Sequence, residues 1–139
     1  MKSLILSLGF GLFSIMATIA QNTATLSVKI QDIASDDGML YVGLYNSAGE
    51  WLEQTYKGES SIIANGKCEV VFKEVPYGEY AISVYHDEND NGKMDKYLGM
   101  IPKESYACSN QAPANFGPPR WDDAKFIINQ ETNQQIIKL

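Results

Sequence analysis

Leu26, Val28 and Ile30 alternate with Ser27, Lys29 and Gln31, and a period of two marks a strand with one face on a core and the other toward water. The turn sequence Asp36-Asp37-Gly38 then introduces a second strand, Met39 to Tyr45. There Leu40, Val42 and Leu44 face one way while Tyr41, Gly43 and Tyr45 face the other, so both surfaces are expected to be partly covered. Asn46 to Glu59 is a polar connection carrying Trp51 and Tyr56. A short strand over Ser60 to Ala64 is expected to turn at Asn65-Gly66, whose residues tolerate positive φ, and to return as Lys67 to Lys73 in an antiparallel hairpin.

Past this hairpin, Pro76-Tyr77-Gly78 turns the chain into a strand on which Tyr80, Ile82, Val84 and His86 share a face. From Lys96 to Pro119 the periodicity fails, which predicts one long loop; Tyr97, Tyr106 and Phe116 favour packing of that loop over disorder. Two more strands, Ala124 to Asn129 and Gln134 to Leu139, end the pattern, and neither a long amphipathic helix nor an internal repeat is visible. About seven short strands separated by turns predict an all-β, immunoglobulin-like antiparallel sandwich with one long ordered loop; a small closed barrel is the alternative. The phrase Phe72-x-x-Val75-Pro76-x-Gly78-x-Tyr80 resembles the turn-and-tyrosine segment of transthyretin-like and carboxypeptidase-regulatory-like sandwich domains.

Composition sharpens this picture at the N-terminus. Lys2, the apolar run Leu4 to Ile15 and the small residues at Thr18-Ile19-Ala20 predict a secretory signal peptide over 1–20, with a single domain over 21–139. The rival, a membrane anchor, has too short an apolar run and no basic stop-transfer cluster after it. The expected product is thus secreted or periplasmic, without a transmembrane segment in the mature chain. Of 11 basic and 17 acidic residues only Lys2 is lost on cleavage, so a formal charge of −6 becomes one unit more negative. That balance argues against nucleic acid as a partner and leaves a small molecule, a glycan or a protein as ligand. Cys68 and Cys108 permit one disulfide in an oxidising compartment, yet Cys68 is in phase with Val70 and Phe72 as a small buried hydrophobe, while Cys108 lies in a loop-like stretch.

The chemistry concentrates between His86 and Asp95. Counting from Asp87, oxygen-bearing side chains stand at positions one, three and five as Asp87, Asn89 and Asn91; Gly92 is sixth, the Lys93 carbonyl seventh and Asp95 ninth. A hard cation such as calcium takes six to eight oxygens, and a chain can wrap one only if it turns sharply where glycine allows. Leu98 occupies the twelfth position, where an EF-hand has glutamate, so the loop must borrow a ligand, with Glu104 or water as candidates. The spacing resembles calcium loops between strands of bacterial surface β-sandwich repeats, and two full charges with two amides suit an affinity of roughly 10⁻⁴ to 10⁻³ M. Asn-Gly and Asp-Asn are also good turn chemistry, so a metal-free hairpin remains the plain alternative.

Other candidates are weaker. His86 is the single histidine, but Asp87 beside it points to the opposite face of a strand, which favours a hydrogen-bonded histidine at a core edge over a catalytic base. Asp122-Asp123 reads as a solvated pair, and Phe116, Pro118, Pro119, Arg120 and Trp121 either form an aromatic platform or cover an end of the sandwich. No nucleophile elbow, phosphate loop, Cys-x-x-Cys or His-Glu-x-x-His occurs, which weighs against an enzyme.

Taken in order, His86 to Asn89, Asn91 to Asp95, Leu98 to Glu104, Ser109-Asn110, Phe116 to Pro119 and Asp122 to Phe126 resemble the exported bacterial domain-of-unknown-function family 2141. The resemblance spans the chain from about Ala24 and implies a secreted or periplasmic domain of unassigned activity. At Ala107-Cys108 the chain departs from the glycine and aromatic residue expected there, which makes Cys108 an individual feature. The expectation is an exported, calcium-stabilised sandwich acting as a binding or accessory module. A metal-free structural envelope protein is the alternative, and a hydrolase using His86 with Glu104 or Asp122 a further one.

Overall fold

A computed structural model describes residues 21–139; the expected signal peptide, 1–20, lies outside the described residues. The strands are β1 (Thr23–Gln31), β2 (Met39–Tyr45), β3 (Lys57–Ser61), β4 (Cys68–Pro76), β5 (Gly78–Asp87), β6 (Lys96–Tyr97), β7 (Ile101–Pro102), β8 (Tyr106–Cys108), β9 (Phe126–Ile128) and β10 (Thr132–Lys138), with one helical turn, α1 (Trp121–Ala124), before β9. One sheet runs β10-β1-β4 and the other β3-β2-β5, with β9 and then β8 pairing successive stretches of β5. The short β6-β7 hairpin stands apart. This is an all-β sandwich.

The alternation seen in the sequence fills the space between the sheets. Leu26, Val28 and Ile30 of β1, Phe72 and Val75 of β4, Leu40 and Leu44 of β2, and Ile82 and Val84 of β5 form one core and are all but sealed from solvent. Each such aliphatic or aromatic side chain contributes about 1.5–3 kcal/mol relative to an exposed position. A second, smaller cluster lies on the outer face of the second sheet, where Trp51, Ala112 and Trp121 pack against Ala81, Cys108 and Ala124.

Several expectations are corrected. Asn65-Gly66 makes its two-residue turn, with both residues at positive φ and a reciprocal bond pair between Ala64 and Lys67. The strands on either side nevertheless belong to different sheets: β3 pairs with β2, and β4 with β1. The turn is held from outside, since the carboxylate of Asp36 accepts both the Asn65 and Gly66 N–H groups at 2.8 Å, and the chain then crosses the sandwich. The expected antiparallel sandwich has a parallel pairing, β1 with β10, in register from Thr25–Thr132 to Gln31–Lys138. A turn in which Glu131 accepts from Thr25 N–H at 2.8 Å brings the chain from β9 across to β1. The loop expected over 96–119 contains β6, β7 and β8, elements too short to show a period.

Cys108 accordingly lies in β8 and is 1 % exposed. Both cysteines are free thiols: Cys68 touches the main core from the first sheet, whereas Cys108 faces outward from the second. Burial pushes each thiol up to about 11, for Cys108 against a hydrogen bond from Ser83 that lowers it.

Candidate metal centre

The loop begins where β5 leaves its partners. Asp87 is the last residue of β5, paired with Met39, and its side chain is completely buried. Its carboxyl group accepts the Asn91 N–H at 3.1 Å through Oδ1 and the Gly92 N–H at 2.7 Å through Oδ2, so the loop folds over a buried acidic side chain. Gly92, at φ 77, supplies the left-handed turn this needs. Asn89 Oδ1 accepts the Asn91 N–H at 3.3 Å, and Asn91 Oδ1 the Lys93 N–H at 3.0 Å.

Asp95 closes the ring. Its carboxylate receives Asn89 Nδ2 at 2.8 Å and Asn91 Nδ2 at 2.9 and 3.0 Å, and these bonds, with the charges of Lys93 and Lys103, hold it below the usual carboxylate range. The fold therefore brings Asp87, Asn89, Asn91 and Asp95 together; Lys93 lies on the same loop and contributes its N–H.

Glu104 arrives from the strand side. Its Oε2 accepts the Asp95 N–H at 3.1 Å, while the Lys103 N–H reaches the Asp95 carbonyl at 2.8 Å, so segment 103–104 is fastened along the loop. Its Oε1 is buried without a hydrogen-bond partner. Burial pushes the Glu104 carboxyl above its ordinary range against the Asp95 N–H bond, which lowers it; the charges of Asp87 and Asp95 add to the rise, and Asp87 lies within side-chain hydrogen-bonding reach. Two carboxyl groups confronting each other around an orphaned oxygen attract a proton or a cation.

As a test of fit, every side-chain donor here is oxygen, which suits a hard cation. As placed, however, no three His, Cys, Asp or Glu residues stand close enough to hold a metal among the described residues. The amides of Asn89 and Asn91 present N–H to Asp95, so ion binding requires them to turn their oxygens inward. A loop closed by its own amides and a loop ready to exchange them for an ion share this geometry.

The root of the loop is built by residues to which the sequence reading gave only a turn. Gly38, at φ 71, packs its α-carbon against the Asp87 backbone so closely that any Cβ would strike the Asp87 carbonyl. The adjacent Asp37 carbonyl accepts from His86 Nε2 at 2.6 Å, which fixes Nε2 as the protonated nitrogen, since a carbonyl can only accept. His86 is wholly buried on the core face, and the Glu88 carboxylate lies 3.6 Å from its Nδ1.

Asp122 does not join His86. Asp122 is on α1 and pairs with Lys125 at 3.2 Å, which in turn meets Glu79 near the start of β5. Glu79 and His86 are separated along that strand by roughly 23 Å at 3.3 Å per residue. Asp123 pairs with Arg120 at 3.2 Å. Of the aromatic platform, Phe116 is fully exposed, whereas Trp121 packs on Trp51, whose Nε1 donates to the Pro119 carbonyl at 2.7 Å. That segment covers the outer face of the second sheet rather than an open end.

The Ser109-Asn110 pair proves structural. Between the last β8 pair, Ser83–Cys108, and the first β9 pair, Tyr80–Phe126, β5 would lose its neighbour at Ile82. The buried Ser109 hydroxyl fills the gap, accepting the Ile82 N–H at 2.9 Å and donating to the Ala124 carbonyl at 2.6 Å. Asn110, at φ 58, donates to the Asp123 and Lys125 carbonyls.

Among the described residues no helix is long and apolar enough to cross a membrane. Neither a curated protein nor a solved structure matches the chain. A family model described as an uncharacterised protein conserved in bacteria, DUF2141, matches residues 28–136. That span runs from within β1 to within β10 and takes in both sheets, the Asp87–Asp95 loop and the Ser109 junction, and the chain belongs to this family.

Proposed function

We propose that this protein is an exported binding or accessory module, secreted or periplasmic, whose Asp87–Asp95 loop is braced by a weakly held calcium ion. Export rests on the signal-like pattern of residues 1–20. The observation that carries the calcium reading is the buried, unpartnered Glu104 Oε1 beside the buried Asp87 carboxyl. Asp87, Asn89, Asn91, the Lys93 carbonyl and Asp95 would hold the ion, with Glu104 as the borrowed ligand that Leu98 does not supply. Bound calcium would neutralise the confronting carboxylates, and its role would be structural.

Thermal melting in calcium against chelator tests this. With a dissociation constant of roughly 10⁻⁴ to 10⁻³ M, about 10 mM calcium stabilises by about 1.4–2.7 kcal/mol through binding to the native state alone. Glu104→Gln keeps the shape and removes a charge, and should lose most of that gain. Identical melting in calcium and chelator would dismiss the ion. It would leave a second reading, favoured by the Asn89 and Asn91 bonds to Asp95, in which the loop is a metal-free brace of an envelope protein.

A further inference from the structure

The outer face of the second sheet contains a trough that the calcium loop does not explain. Strand register places Gly43 of β2 between Gly58 of β3 and Ser83 of β5, so one row across three strands has almost no side chains. The next row is Ser60, Tyr41 and Tyr85, in which the two tyrosine rings stack on each other at 5.1 Å and 13° and leave the far face of Tyr41 free above Ser60. On the other side stands Tyr45, edge-on to Trp51 at 4.9 Å. The trough encloses about 400 Å³, within the range of small-ligand sites.

Glycine weakens a strand, and two glycines facing each other call for a reason. Packing accounts for Gly43, because a Cβ there would meet the Thr55 methyl at 2.7 Å and the Tyr45 ring at 3.1 Å. It does not account for Gly58, where a Cβ would meet nothing within 4 Å. The space above Gly58 is open.

Five hydroxyls around this space are uncommitted. Tyr80 donates its hydroxyl to the Pro76 carbonyl, whereas among the described residues the hydroxyls of Tyr41, Tyr45, Tyr85, Thr55 and Ser60 have no such partner. Tyr45 is only 8 % exposed, yet its hydroxyl lies 3.3 Å from the Gly43 Cβ position, at the trough floor. Glu59 is opposite the core-facing Val42, so its side chain leaves from the other face. Anionic ligands therefore find no counter-charge, and the Asp87 and Glu104 carboxylates acting on Tyr85 disfavour them further. Hydroxyls both donate and accept, and aromatic faces attract polarised C–H groups. A pyranose ring offers both, with C–H faces for the tyrosines and paired hydroxyls for the rim; a polyproline segment offers carbonyls and no donor.

We propose that this trough binds one sugar ring of a neutral oligosaccharide, with the free face of Tyr41, on the side of Ser60, as stacking wall and the open Gly58 position as floor. It rests on the reading of the chain as a binding module, and it does not need the calcium loop. The test is an amide NMR titration of the full chain with cellotriose, maltotriose and chitotriose up to about 10 mM, in chelator and again in calcium, with octaproline as comparison. Saturable shifts at Gly43, Gly58 and Ser83 with at least one trisaccharide in chelator support the proposal even if calcium has no effect on melting. Gly58→Val should keep the native melting temperature, because its Cβ has room, and weaken binding roughly tenfold or more. Absence of saturable shifts with all three sugars, equal affinity in Gly58→Val, or tighter binding of octaproline would each overturn it, whatever the calcium melts show.

Discussion

Replacing Ser109 with alanine removes one oxygen from the junction that joins two short strands to β5. That oxygen accepts the Ile82 N–H at 2.9 Å, donates to the Ala124 carbonyl at 2.6 Å and lies 3.4 Å from the Ile82 carbonyl. Ser109 is completely buried, so water cannot take its place without opening the sheet. Alanine fits the space but leaves an N–H and a carbonyl unpaired, and each buried unsatisfied group costs roughly 1–3 kcal/mol. Allowing for the desolvation of the lost hydroxyl, the expected destabilisation is about 2–4 kcal/mol. Urea unfolding measures it directly, and an unchanged slope shows that the native state is still the reference. In a domain of this size the melting temperature should fall by about 8–16 °C. Ser27→Ala is the control: its 2.6 Å bond to Glu69 is exposed and should matter by no more than about 0.5 kcal/mol. A loss below about 1 kcal/mol for Ser109→Ala, or equal losses for both variants, would refute the reasoning.

Three further outcomes follow from the geometry. Gly38→Ala places a Cβ against the Asp87 carbonyl at a backbone angle glycine favours, so it should cost about 2–4 kcal/mol and abolish any calcium response in thermal melts. The Gly66 and Asn65 N–H groups hold the Asp36 carboxyl below its ordinary value; its contribution is present above the unfolded value near 3.8 and lost as pH falls through the lower folded value. Acid titration by circular dichroism should show Asp36→Asn less stable near neutrality, with the difference from wild type shrinking as the solution is acidified. With both thiols pushed up to about 11 and lying in different clusters, native protein at pH 7.5 should alkylate slowly at Cys68 and Cys108. Mass spectrometry after unfolding should find two free thiols and no bond between them.

Strand identity was legible wherever one face of a strand is buried and the other is wet. β2 was predicted residue for residue, and the Tyr80 to His86 face of β5 is buried as the alternation requires. Alternation fixes which way a side chain points but not which strand lies alongside, so Asn65-Gly66 correctly marked a turn and wrongly implied a hairpin. β9 falls inside the strand expected over Ala124 to Asn129, whereas β8 was unreadable for a different reason: it has three residues, and the bonds that hold it come from β5. The loop from Asp87 to Asp95 was legible because its bonds are local, spanning two to six residues.

By itself the sequence determined an all-β chain with an acidic, glycine-turned loop after a buried strand, since period-two burial and Asx chemistry act between near neighbours. Only the tertiary structure decided what meets that loop: Gly38 and Asp37 beneath its root, and Glu104 with its orphaned oxygen against Asp87. It also decided that Gly43 and Gly58, fifteen residues apart along the chain, lie side by side, with open space above Gly58. Such contacts depend on strand order and register, and those are set by packing two sheets over a common core rather than by any local pattern.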